Sequence, residues 1–235
     1  MTFSWKRVNA IFQKDFKDFS RNMAVSIVIF LPLIMAAVYS RMGVDSIQGH
    51  FMTINMTFAM VGTYVQCCLI AEEKEKNTLR GLTLSPASTL EIFGGKSLLS
   101  FVLTIIIIFF SAFLSEYRPA NITIVAVAII LSSLFYIGIG TLLGLVAKSV
   151  MESSVIVLPV IGIFSIGSFV TEWSEKYPML KVVEYMPNVQ LIDLAEKVEA
   201  GAGFAEVFSN IGIISVWVVV VCLLTVYVFK KRMTD

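Results

Sequence analysis

The sequence predicts an all-α polytopic membrane protein with six transmembrane helices, an N-terminal amphipathic helix at the membrane interface and short external re-entrant helices. Three observations lead there. Of 235 residues, 57% are hydrophobic and only 15% charged, and the mean hydropathy is +0.84, whereas soluble domains run nearer a quarter charged. The apolar residues gather into runs of roughly 17–25, the length at which a helix crosses a bilayer. The charges gather between those runs, in stretches too short to hold a large soluble domain.

The first element is residues 1–22. Val8, Ile11, Phe12, Phe16 and Phe19 recur at helical spacing with Lys14, Asp15, Lys17 and Asp18 between them. Such a helix is expected to lie along the membrane, aromatics toward acyl chains and cations toward headgroups. Residues 23–235 then carry six spans: Met23–Arg41, Phe51–Ala71, Ser97–Ser115, Ile122–Ala147, Ser153–Val170 and Ile211–Phe229. Hydrocarbon offers backbone groups no partner, so each is read as a helix. The opening residues are charged and the first run is long enough to span, so a cleaved signal peptide is not expected.

Orientation follows from lysine and arginine in the connections. With six crossings, 13 of the 18 lie on the side of both termini, and Arg41, Arg118, Lys176, Lys181 and Lys197 on the other. Both termini are therefore expected to be cytoplasmic. The other side is mostly tight turns. Only its segment 171–210 has room for structure, a short helix with Asn188 as N-cap and Gly201 and Gly203 as its stop.

Catalytic and metal chemistry find little support. Cys67, Cys68 and Cys222 lie in apolar runs and read as packing residues, without disulfide or metal spacing. His50, the single histidine, reads as loop surface. A membrane enzyme needs clustered His, Asp, Glu or Cys near one leaflet, and the carboxylates here are scattered. No nucleic-acid partner is implied.

The informative stretch is the charged island 72–96, EEKEKNTLRGLTLSPASTLEIFGGK. It is read as a short surface helix from Glu72, a Ser85-Pro86 turn and a Ser88/Glu91 capping box that opens the next span. Charges that merely hold topology are the plainer alternative. Its order, Glu73-Lys-Glu-Lys-Asn-Thr-Leu79, then Ser85-Pro86, then Glu91 and Gly95-Lys96, resembles the signature of ABC-2 type transporter permeases, with Asn77 where glycine is usual. Gly138–Ser153 and Tyr177–Asp193 resemble two further family regions, so the likeness covers nearly the whole chain.

The resemblance implies the transmembrane subunit of an ABC exporter in a bacterial cell membrane. It would pair with a second permease chain, identical or similar, and with cytoplasmic ATPase subunits that bind ATP and Mg. No G-x-x-x-x-G-K-[ST] loop is present, so nucleotide must bind a partner. It further implies that Glu73, Glu75 and Arg80 contact the ATPase, with Thr78 and Pro86 shaping that element. The dimer seam is placed at spans one and five, where Ser154, Gly162, Ser165 and Ser168 offer a small, weakly polar surface. Gly140 and Gly144 form a GxxxG pair, read as packing within the subunit. The only clear charges near membrane depth lie at span ends, so a buried ion or proton relay is not expected, which argues against an ion-coupled carrier. The cargo expected is an amphipathic peptide, hydrophobic antibiotic or lipid-like molecule. Polysaccharide export, and a non-transporting immunity or scaffold role, are the alternatives.

Overall fold

A computed structural model describes residues 3–165 and 178–234, and every regular element among them is helical. Helix α1 is Trp5–Arg21. Four long apolar helices follow: α2 Met23–Arg41, α3 Ile47–Glu75, then, past the short α4 Thr78–Leu84, α5 Thr89–Leu114 and α6 Ile122–Val146. Helix α7 is Val150–Ser165, α8 Pro187–Glu199 and α9 Phe208–Thr234. Five of these, α2, α3, α5, α6 and α9, are long and apolar enough to cross a membrane. The expected fifth span, Ser153–Val170, leaves the described residues after Ser165, as does Ser168.

Helix α3 is the hub. In α3, 83% of the apolar window is buried within the chain, against 17% for α2 and α9, so α2 and α9 lie at the periphery. Close approach to the hub is set by glycine. A Cβ at Gly140 would lie 2.4 Å from the Thr63 carbonyl oxygen, and one at Gly144 2.7 Å from Ile70 Cβ. The GxxxG pair therefore seats α6 against α3 within one subunit, as read from the sequence. Gly138 does the same for α9, with Val221 Cγ1 2.6 Å from its missing Cβ. Between the three central helices runs a ladder of polar contacts. Thr63 donates to the Tyr136 carbonyl at 2.9 Å, Gln66 to Thr141 at 2.9 Å, and Ser100 to Gln66 at 2.7 Å. Such bonds replace the water that hydrocarbon lacks. Phe58–Val65 is π-helical in this same stretch.

The two ends of the bundle differ. At one end α1 crosses α5, and Phe229 of α9 meets Phe93 of α5 edge-on, ring centroids 4.8 Å apart; both termini thus lie at this end. At the other end α8 packs against α9, α6 and α3. There Trp217 donates to the Tyr185 carbonyl at 2.8 Å, and Asn210 to Asp193 at 2.7 Å.

Several expectations are corrected. Helix α3 runs on through Glu72–Glu75, so the short surface helix begins at Thr78. Helix α5 starts at Thr89, so Lys96 sits two turns inside it rather than in a connection. His50 is not loop surface: it lies buried in α3, its ring 5.0 Å from that of Tyr117 and Nε2 3.3 Å from Asp45. Asn188 is not the N-cap of α8. Pro187 takes the first helical position after Met186, and the Asn188 amide donates to the Phe164 carbonyl at 3.3 Å. Gly201, with φ +93°, does follow the end of α8. Each miss has one cause: the local pattern carries no word of the neighbour that lets a helix extend or a polar side chain turn inward.

The glycine seats are testable. Gly140→Ala is expected to lower the melting temperature in detergent, on the order of 1–3 kcal/mol of overpacking. Gly212→Ala, with nothing within 4 Å of its Cβ, should leave it unchanged.

Candidate coupling site at the charged end of the bundle

Helix α1 has two apolar faces. Val8, Ile11, Asp15 and Phe19 point into the bundle, while Trp5 and Phe16 remain exposed. The inward face rests on α5 at Gly95, where a Cβ would lie 2.8 Å from Ile11 Cβ. With no side chain there, the two backbones come close enough for the next residue, Lys96, to reach past α1.

Lys96 has no solvent exposure. Its ammonium donates to both Asp15 carboxylate oxygens, at 3.0 and 3.1 Å, and to Glu73 at 3.0 Å. Lys14 and the Thr78 hydroxyl also donate to the Glu73 carboxylate. Two carboxylates and two ammoniums thus neutralise one another where α1, α3 and α5 converge. An unpaired charge here would be costly, so the cluster stands only as a set. Burial pushes the Asp15 carboxyl above its usual range, with the Lys96 and Lys14 charges pulling the other way. Lys14 is half-exposed; its burial favours the neutral form, but the Glu73 hydrogen bond and charge outweigh this, and its pKa is raised.

A second clamp holds the start of α1. Glu91, buried, closes the expected capping box: its carboxylate accepts from the Ser88 N–H at 2.7 Å while Ser88 accepts from the Glu91 N–H at 3.3 Å. The same carboxylate takes a forked pair from Arg7, at 3.0 and 2.8 Å, and the Ser4 N–H at 2.5 Å. Such bidentate geometry gives direction as well as attraction.

A third set of contacts reaches the connection after α6. Lys74 donates to the Leu145 carbonyl at 2.7 Å and also to that of Ala147, satisfying carbonyls left open at a helix C-terminus. Glu75 accepts from the Val150 N–H at 3.0 Å, at the first turn of α7. The last turn of α3 therefore ties together α1, α5, and the α6–α7 connection.

From this mount hangs α4. Asn77, with φ 55°, breaks the chain out of α3 in the left-handed conformation that asparagine tolerates. Helix α4 follows, then the Ser85-Pro86 turn, in which Ser85 donates to the Leu82 carbonyl at 2.6 Å. Pro86 is exposed, and Leu84 and Leu90 are 82% and 79% exposed on either side of the turn.

The structure thus sorts the residues singled out in the sequence. Glu73 and Thr78 belong to the internal cluster, and the Glu73 carboxylate, 3% exposed, is no free surface contact. Glu75 is exposed and bound to α7. The Arg80 backbone lies in α4. Ser154 faces Tyr64 of α3, hydroxyls 3.2 Å apart; a Cβ on Gly162 would meet open space; Ser165 ends the described part of α7. Sequence reasoning missed Arg7, Lys14, Asp15 and Lys74. Asp15 had a readable signal, an acid on the apolar face of an amphipathic helix.

A family model described as ABC-2 family transporter protein matches residues 44–227, and the chain belongs to that family. It is accordingly a multi-pass membrane protein and the permease component of an ABC transporter. Its family lacks catalytic activity of its own and generally pairs with ABC ATPase subunits. Comparison with curated proteins gives no match.

The cluster predicts an asymmetric response to substitution. Lys96→Met leaves two buried carboxylates without their shared cation and should destabilise the fold by about 3–5 kcal/mol. Adding Asp15→Asn and Glu73→Gln should recover much of that. Thermal unfolding in detergent reads both; a triple variant no more stable than the single would show that the charges do not act as one set.

Proposed function

We propose that this chain is the membrane subunit of an ATP-driven exporter, working as a pair of permease chains with two cytoplasmic ATPases. Both termini, α1 and α4 face the cytoplasm, in line with the crowding of lysine and arginine at this end. Helix α7 supplies the described part of a sixth span, and α8 dips into the opposite leaflet. Helix α1 lies in the membrane interface with Trp5 and Phe16 in the acyl boundary.

The observation that carries the reading is the mounting of α4. A short helix with an exposed leucine, Leu84, at its far end is suspended between two spans whose ends are tied by buried ion pairs. A push from an ATPase on α4 therefore reaches α3 and α5 without being lost in a soft hinge. Glu75 extends the same push to α7 through the Val150 N–H, and Arg80 and Pro86 lie on the part that meets the partner. Glu73 acts from inside, as the anchor of that lever.

The cargo suited to this scaffold is amphipathic: a peptide, a hydrophobic antibiotic or a lipid-like molecule. The polar groups in the core form a ladder of neutral Thr, Ser and Gln contacts. The rings of Phe135, Tyr136, Phe164 and Trp217 are engaged with one another edge-on, rather than set out as sugar-stacking platforms.

Glu75→Ala tests the lever. The variant should fold and co-purify with its ATPase, yet lose cargo-stimulated ATP hydrolysis and transport in proteoliposomes. Full stimulation in the variant would remove Glu75 from the coupling path. Transport that persists when the ATPase's catalytic carboxylate is neutralised would overturn the exporter assignment itself.

A further inference from the structure

Helices α5 and α6 are joined by the tight hairpin 115–121, yet they splay as they leave it. Between them opens a cavity of about 850 Å³, floored by Ile54 of α3 and walled by Ile108, Phe109, Phe113, Val125 and Ile129. Phe109 and Phe113 are 66% and 73% exposed, so the groove faces sideways, where lipid chains lie. Its size falls within the range of small-molecule sites. In hydrocarbon no hydrophobic force closes such a gap, and it is filled by whatever packs best.

The rim is what gives the groove a preference. Glu116 and Arg118 both line it at the hairpin end. Both are exposed, and neither side chain has an ion-pair or hydrogen-bond partner among the described residues. Tyr117 between them is turned inward, its hydroxyl donating to Glu199 at 3.2 Å and its ring against His50. Burial and the Glu199 charge push the Tyr117 phenol up, so it stays protonated as the donor. The hairpin backbone is held as well. The Tyr117 N–H bonds to the Ala112 carbonyl at 3.0 Å, and Glu116 takes a left-handed turn at φ 54°. One cation and one anion, not paired with any described residue, are thus carried by a held backbone at the end of an apolar slot.

We propose that this groove holds a phospholipid with a primary-amine headgroup, of the phosphatidylethanolamine type. Its acyl chains fill the slot, its phosphate meets the Arg118 guanidinium and its ammonium meets the Glu116 carboxylate. Guanidinium suits phosphate because its planar fork matches two oxygens at once. A choline headgroup has no N–H for Glu116, and a glycerol headgroup lacks the ammonium, so both bind less well. The site is separate from the charged end that drives transport.

Native mass spectrometry of the full chain, purified in detergent with equimolar phosphatidylethanolamine, phosphatidylglycerol and phosphatidylcholine, tests this. The ethanolamine lipid should be retained in preference to both others. Arg118→Gln should abolish retention of the ethanolamine and glycerol lipids alike; Glu116→Gln should keep retention and erase the preference. Unchanged melting temperatures would show that both variants fold. Retention indifferent to Arg118, or a preference for the glycerol lipid, overturns the proposal. Cross-linking of two chains through Phe113→Cys with no lipid retained also overturns it, by showing that a second copy covers the groove.

Discussion

The contact on which the rest of the structure depends is the buried ammonium of Lys96, held between Asp15 of α1 and Glu73 of α3. A lysine two turns into an apolar helix is tolerable only with its countercharges in place. That requirement draws three separate elements to one point. It explains why α1 lies on α5, and why Gly95 precedes Lys96: the helix must come close for the lysine to reach. Thr78 and Lys14 complete the shell around Glu73, so the first residue of α4 is part of the cluster that fixes the spans.

The charged end is a set of cross-braced helix ends rather than a set of loops. Glu91 pins the start of α1 while capping α5. Lys74 closes the C-terminus of α6, and Glu75 holds the first turn of α7. Glu91 and Lys74 meet backbone groups that helix ends leave open. The middle of the bundle works by other means: missing Cβ atoms at Gly138, Gly140 and Gly144 and neutral hydrogen bonds, which permit close helices without fixing charge at membrane depth.

Much of this was legible in the sequence, unevenly. The Ser88/Glu91 box, the Ser85-Pro86 turn and the stop at Gly201 were readable because they are local. The long apolar runs were readable because bilayer thickness selects their length. The roles of Glu73 and Lys96 were not. A charge between two apolar runs looks the same whether it faces water or another helix, and Asp15, 81 positions from Lys96, carries no mark of its partner. His50 and Asn188 were misplaced for the same reason, since both turn toward neighbours distant in sequence.

By itself the sequence determined that this chain crosses a membrane as helices, where the charged island falls, and that this island has the order seen in ABC-2 permeases. Those properties follow from hydropathy, spacing and local backbone chemistry. Only the tertiary structure decided that the island divides, Glu73 buried among charges from other helices and the Ser85-Pro86 turn after α4 left exposed. It also decided that α1 turns one face to the bundle, and that α5 and α6 part to leave a groove under Glu116 and Arg118. These are properties of which surfaces meet, and a linear pattern does not contain them.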